Sequence, residues 1–540
     1  MPAPPIHLEI QKHRSSFYGV LRSSFRQDGK VRHSNHGRIV GLALEQLQLI
    51  QAAFRGDVVP KDSPDAFQIL FSKEYGASHT LLALAKELGL PQMIYSRHEP
   101  WVNDCLAMII GRLLYAGSKL SLSHQWKNTV LWELCGVSGP VDVEDHCYAA
   151  MDRLLDRQMA IQKALAARHL RNGRLVLYDI TSSYFEGAYA ESEIVLFGYN
   201  RDGKRGHEQI CLGLLCNEDG CPVGVEVFPG NTQDASTVVE KVKELQTQYG
   251  LTKVIFVGAR GMVTQANVQA LGTVEGLNLI SALTHKQIVN LLERRVIKAE
   301  LFDEQKVVEV IDPENPHRRY ELCRNPESAQ REGMTRRRLL DLTQEGLKKI
   351  TNSPRKSSDE KIGARVGRVL QQYKMGKFVE WKVQQGKLQW RLDEAKITQA
   401  QLLDGCYIIS SDVPAEQMDQ QQVVAAYKSL SLVEGAFRNL KTVSLEMRPV
   451  FHQKDDRIRS HVFVCVLAYY LQWHVQQRLK PLFAQDGNGK DRQWTFSSVM
   501  ERLKALRRQR VKVGGVEFDQ VAEAQEDQRE IIDLLKRKPA

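Results

Sequence analysis

The chain has 540 residues, too many for one core, so three or more structural units are expected. Its apolar fraction of 43% is ordinary for a globular protein, and no apolar run is long and charge-free enough to span a bilayer, so no membrane association is expected. The formal charge of +10, with a pI near 9.0, favours a polyanionic partner.

The opening MPAPPIHLEIQKHRSS lacks the apolar centre of a signal peptide, and the nine cysteines follow no disulfide-framework spacing. A cytoplasmic home with free thiols is the expectation. Cys211 and Cys216 fall five apart on an expected strand and so face opposite sides, which argues against a metal cluster with Cys221.

Residues 1–75 mix short apolar pieces with Gly, Asn and Arg. SFYGVLRSSFRQDGKVRHS predicts two strands around an Asp28-Gly29 turn, in a small β-containing unit. Residues 76–170 read as helical, with apolar positions three and four apart in TLLALAKELGL and NDCLAMIIGRLLYAG. From 171 to 290 the pattern becomes RLVLYDI, QICLGLLC and PVGVEVF, then a helix from Ala235, KVIFVGA, a helix near Thr264 to Leu271, and LNLISAL. The order is three strands, helix, strand, helix, strand. Residues 291–404 break this rhythm with short strands and a basic helix from Gly333, so they read as a β-rich basic insertion. Between Arg331 and Glu380 there are thirteen Lys/Arg against six Asp/Glu, which suits phosphate contact. A solvated helical face is the plainer alternative. GCYIISS and further helices resume the pattern over 405–480, and 481–540 reads as a helical tail.

Two acids stand out. Asp179 ends the apolar run Leu177-Tyr178-Asp179, where a bare charge is costly unless a cation offsets it. A strand-end turn with Thr181 and Ser182 would also account for it. Glu434 shares a helical stripe with Tyr427, Arg438 and Lys441, spaced by seven, four and three. A carboxylate flanked by two cations and a phenol suits a site binding metal and phosphate together. A Glu434–Arg438 salt bridge is the alternative.

On these residues the chain resembles the transposases of bacterial insertion sequences, with an Asp-Asp-Glu triad on an RNase H-like core and a β-rich insertion before the third acid. That branch carries Tyr, two residues, Arg, three residues, Glu, six residues, Lys; Tyr427, Glu434 and Lys441 stand at those spacings. Leu430 replaces the Arg, and Arg438 is a candidate substitute. Phe228-Pro229-Gly230-Asn231-Thr232 with Asp234, Arg260-Gly261-Met262, and Met447-Arg448-Pro449-Val450-Phe451-His452 followed by Arg457 to Phe463 also match. The resemblance covers roughly residues 20–510.

The resemblance implies an α/β fold: an RNase H-like core interrupted by the insertion, after a mainly helical N-terminal region. It places the second acid before Arg260, where this chain has Ala259. That vacancy admits an introduced Asp→Ala change, a decayed natural copy, or another acid such as Asp202 or Asp234. It further implies Mg²⁺, with Mn²⁺ as substitute, held by Asp179 and Glu434. The implied partners are double-stranded DNA (terminal inverted repeats and target) and a second copy of the chain in the DNA complex, in the bacterial nucleoid, with residues 1–75 as a DNA-binding unit and 76–170 as a helical end-binding and dimerisation domain. The implied reaction is nicking at each end, second-strand cleavage with a hairpin as one route, and strand transfer. Tyr427, Arg438, Lys441 and Arg260 are the expected phosphate contacts, extended by Arg448, His452, Lys454, Arg457 and Arg459. Trp381 and Trp390 are either base-stacking groups or insertion core. Rival readings are a metal-dependent nuclease on the same core and a transposase-derived DNA-binding protein without catalysis.

Overall fold

The computed structural model describes the chain outside residues 1–5, 14–15, 28–29, 56–66, 205, 261, 263, 265–266, 268–269, 272–273, 303–306, 354–356, 486–491, 514–515 and 538–540. The chain forms two compact units, Met1–Asp156 with Leu471–Ala540, and Arg157–Tyr470. Among the described residues no single helix is long and apolar enough to cross a membrane.

In the first unit β1 (Ile6–His13), β2 (Ser16–Gln27) and β3 (Lys30–Ile39) form an antiparallel sheet in that order. β2 and β3 close on a Gln27–Lys30 pair, as the expected hairpin requires; its Asp28-Gly29 turn lies outside the described residues. Period-two alternation puts Leu8, Ile10, Phe17 and Leu21 on one face, packed on Leu47 and Ile50 of helix Leu44–Arg55. β4 (Phe67–Glu74) joins a different sheet. It pairs with the strand Arg507–Val513, which pairs with Val516–Val521. The tail expected to be helical is therefore partly strand. RRQRVKV alternates, but its charges resemble a solvated helix until β4, far away in sequence, supplies the ladder partner. Glu74 at the end of β4 is buried and accepts hydrogen bonds from the Ala77 and Ser78 amides, the Thr129 hydroxyl and the Tyr115 phenol. It thereby satisfies the amides that open helix Gly76–Glu87.

The second unit is built on an eight-stranded sheet. Its strands are β5 (Leu175–Tyr184), β6 (Gln209–Asn217), β7 (Pro222–Pro229), β8 (Val254–Gly258), β9 (Leu277–Ala282), β10 (Val308–Asp312), β11 (Asn315–Arg324) and β14 (Cys406–Ser411). Their order across the sheet is β10-β11-β14-β9-β8-β5-β6-β7. β6 runs antiparallel to both of its neighbours, β5 and β7; β5, β8 and β9 are parallel neighbours. This is the RNase H-like core the sequence predicts. β6 and β8 are buried at every position, which is why they read as continuous apolar runs. The predicted helix after β7 is present as Asp234–Thr247. Half of the one expected over 264–271 lies outside the described residues.

In the insertion, helix outweighs strand. β10 and β11 extend the main sheet, and β12 (Val379–Gln384) and β13 (Lys387–Leu392) form a separate hairpin. Between and after them stand helices Pro326–Thr351, Asp359–Tyr373 and Glu394–Leu402. Leu347, Ile350, Ile362, Val366 and Leu370 recur at helical spacing and bury together against Val379 and Leu388. The many Arg, Lys, Glu and Gln between them are good helix formers, which explains the shift from the β-rich expectation.

Glu321 of β11 is fully buried. Among the described residues neither carboxylate oxygen has a hydrogen-bond partner, and the Arg319 guanidinium lies 3.9 Å away. Burial pushes its carboxyl up to about 8. A raised carboxyl pKa costs the fold nothing while the group is protonated. Its penalty grows as pH rises from the ordinary carboxyl range through the raised value. Calorimetry of Glu321→Gln is therefore expected to give an unchanged Tm near pH ~5 and a Tm roughly 5 °C above the parent at pH ~9.

Candidate active site

The site begins with strand register. β5 and β8 pair Leu175–Ile255, Val176–Phe256, Leu177–Val257 and Tyr178–Gly258. One step further along these parallel strands stand Asp179 and Ala259. Equivalent positions on parallel neighbours project to the same face, so a carboxylate at 259 would stand beside that of Asp179. β5 does not end at Asp179, as the sequence suggested. It continues to Tyr184 because Thr181 to Tyr184 keep their partners Leu212 to Gln209 on β6. Thr181 and Ser182 are therefore strand residues rather than a turn.

Glu434 is exposed on helix Leu430–Arg438, which buries Val433, Ala436 and Phe437 and packs on β5. The predicted stripe is not one continuous helix. Tyr427 closes the preceding helix, Gln420–Lys428, and Lys441 sits in the π-turn Asn439–Val443. The break nevertheless keeps Tyr427 in the cluster. Burial raises its phenol pKa; Arg260 lowers it, and Asp179 and Glu434 raise it. No ion pair joins Glu434 to Arg438 among the described residues, and both are exposed.

Asp179 carries the clearest electrostatic mark. Burial pushes its carboxyl up to about 7; Glu434 and Asp234 push further in the same direction, against a backbone hydrogen bond and Arg201. Asp234 is the first residue of its helix, behind the capping position of Gln233, where its charge suits the positive end of the helix. Its carboxylate is ion-paired with Arg201, so it sits at the edge of the acid cluster.

Arg201 and Asp202 are functional neighbours that sequence reasoning left without a partner. Arg201 donates its amide to Ser182 Oγ at 3.0 Å. Asp202 accepts from Lys441 Nζ at 3.1 Å and from the Arg448 guanidinium at 2.7 Å. Lys441 also donates to Thr181 Oγ1 at 2.6 Å, and burial lowers its pKa. Arg448 lies 4.6 Å over the Tyr184 ring. The local signal was the turn-rich Asn200-Arg201-Asp202-Gly203-Lys204, whose Asn200 side chain accepts the Asp202 and Lys204 amides. Its three distant partners leave no trace in spacing.

The rest of the expected phosphate track divides. Lys454 is exposed, and Arg457 is half-buried. Arg459 is spent on the Val227 carbonyl at 3.0 Å. His452 is buried, its ring 5.3 Å from His461, so it does not reach the surface. Trp381 and Trp390 face each other across the β12–β13 hairpin. The Trp390 indole donates to Thr351 Oγ1 at 3.2 Å and packs on the insertion core, whereas Trp381 stays 42% exposed. Trp390 is therefore part of the insertion's packing, and Trp381 is left partly exposed.

An RNase H-like sheet with carboxylates gathered where its central parallel strands end defines a class, the enzymes that cut and join nucleic-acid strands. Residues 173–471 match the family model described as the transposase DDE domain, and the chain belongs to that family. Domains of this family generally use divalent metal ions. Among solved structures, the piggyBac transposase synaptic complex with hairpin DNA is similar over 79% of this chain and 76% of that one, at 8% identity and a TM-score of 0.36. The Mos1 transposase paired-end complex with left transposon end covers 44% of this chain and 67% of its own, at 15% identity and a TM-score of 0.15. The pre-cleavage Mos1 transpososome gives 44% and 68%, with the same identity and TM-score. No protein of curated function matches the chain by sequence.

Lys441 ties the Glu434 segment to β5 through buried contacts. Lys441→Met leaves the Thr181 hydroxyl without that donor and leaves Asp202 to Arg448 alone. Urea unfolding is expected to show a loss of about 1–3 kcal/mol, as a lower midpoint at unchanged slope.

Proposed function

We propose that the chain is a cut-and-paste DNA transposase that engages transposon ends but, with Ala259 in the second-acid position, scarcely cleaves them. The register that sets Ala259 beside Asp179, with Glu434 acting on the same carboxyl, carries this reading. The carboxylates present fit a divalent cation. Asp179 is held near neutrality by burial and by two like charges, and Asp234 already engages Arg201. Asp179 and Glu434 would hold it. When bound, Mg²⁺ (or Mn²⁺) activates an attacking oxygen and stabilises the leaving one.

The protein's own groups supply the rest. Lys441 and Arg448, aligned by Asp202, offer a preset pair of cations for a backbone phosphate next to the acids. Tyr427, Arg260 and Arg438 flank the scissile phosphate. Water attacks that phosphorus, the P–O3′ bond breaks, and the freed 3′-hydroxyl is the nucleophile for the joining steps: hairpin formation on the opposite strand, then transfer into target DNA. Two ends are processed together, which calls for two copies of the chain. The exposed cations of helices Pro326–Thr351 and Asp359–Tyr373 extend the phosphate contact.

Ala259 also supports a second reading, a transposase-derived protein that binds DNA without cutting it. The test is cleavage in Mg²⁺ of a plasmid carrying the chain's own gene with its flanking DNA. Ala259→Asp is expected to cut at least ~100-fold faster than the parent, because it restores a lost ligand. Equal rates would remove position 259 from the site, and Asp234→Asn would then show whether Asp234 serves instead. No cutting by either protein favours the binding-only reading.

A further inference from the structure

The β1–β3 sheet has two unlike faces. One is apolar and covered by helix Leu44–Arg55. The other follows from the register. β2–β3 pairs Val20–Arg38, Arg22–Asn35 and Ser24–His33, and β1–β2 pairs His7–Arg22, Glu9–Val20 and Gln11–Tyr18, so these residues share the opposite face. All but Val20 are polar. The face is also organised in advance. Arg22 donates to Asn35 Oδ1 at 3.0 Å and to Glu9 at 2.5 Å, Tyr18 donates to Gln11 at 2.8 Å, Ser24 bonds His33 at 2.9 Å, and Arg38 lies 5.6 Å over the Tyr18 ring. β3 is exposed over nearly its whole length.

Charge sets the partner. Among the described residues of this open face, Arg22, Arg26 and Arg38 stand against Glu9 alone. Size narrows it further. β2 and β3, which carry the residues facing outward at Arg22, Ser24, Arg26, His33, Asn35 and Arg38, form a two-stranded ribbon of the kind that a major groove about 12 Å wide admits. Arginine and asparagine are the side chains that pair bidentately with guanine and adenine edges there. We infer that this open face of the β1–β3 sheet reads duplex DNA by lying in its major groove, with Arg22, Ser24, Arg26, His33, Asn35 and Arg38 turned to bases and flanking phosphates. The inference rests on the transposase reading for its partner, DNA, and adds the surface and the groove. An ordinary solvated sheet face is what it competes with.

The test uses the full chain. Duplexes are selected from a random-sequence pool, and the winner is mapped by dimethyl sulfate protection. The expected result is one enriched motif with protected guanine N7 atoms, which lie in the major groove. Arg26→Ala/Asn35→Ala/Arg38→Ala alters three exposed side chains and is expected to keep the parent's thermal melting. It should lose a patch of N7 protection and at least about tenfold of the preference for selected over scrambled duplex. An unchanged footprint and preference in this variant would overturn the inference. So would protection confined to adenine N3 in the minor groove, or no enriched motif. Failure is separable from failure of the transposase reading: cleavage by Ala259→Asp alongside an unchanged footprint removes only the sheet's role, whereas absent cleavage with a footprint that depends on these residues leaves it in place.

Discussion

Asp179 is a carboxylate set into the central strand of an apolar sheet, and much of the second unit answers to that one charge. Its neighbours Tyr178 and Ile180 are buried, and so are the facing residues of β6 and β8. One backbone hydrogen bond and Arg201 do not offset the burial of an anion in such a layer, so the group is pushed toward its neutral form. Glu434 and Asp234 add like charge instead of relieving it. A fold does not gather carboxylates this way for its own stability; the arrangement makes sense as a cost carried for chemistry.

The compensating cations come from three separate segments. Arg201 and Asp202 lie on the loop after β5, Lys441 in the turn after the Glu434 helix, and Arg448 beyond that turn. Asp202 gathers the two later cations, and Asp234 takes Arg201. The carboxylates thus divide into Asp179 and Glu434, which take no ion pair among the described residues, and Asp202 and Asp234, which align positive side chains. The insertion stands outside this economy of charge. It carries its own apolar clusters on helices and a hairpin, and it touches the core sheet through β10 and β11.

Where burial follows a simple period, the sequence was readable. β5, β6, β7, β8 and β9 each showed as apolar runs of strand length, because both faces of these strands are covered. The Tyr427, Glu434 and Lys441 spacing read as one helical face, but the helix breaks at Ser429, Glu434 stays exposed and Lys441 turns inward to Thr181 and Asp202. Failures came where a distant partner decided the outcome. Arg507–Val513 is a strand because β4 is there to pair with it, and His452 is buried with its ring 5.3 Å from that of His461. The insertion's helices were under-read because charged, amphipathic stretches with short flanking strands carry two patterns at once.

From the sequence alone came the kinds of groups present: an acid ending an apolar run, a second acid on a helical stripe, an alanine where a third was expected, and an excess of positive charge. These are local properties, set by composition and by the periods of helix and strand. Only the tertiary structure decided that Ala259 stands level with Asp179, that Asp202 ties Lys441 to Arg448, and that the polar side chains of β1–β3 share one open face. Such pairings join residues tens to hundreds of positions apart, and hydrogen-bond register and packing, which no local period encodes, select them.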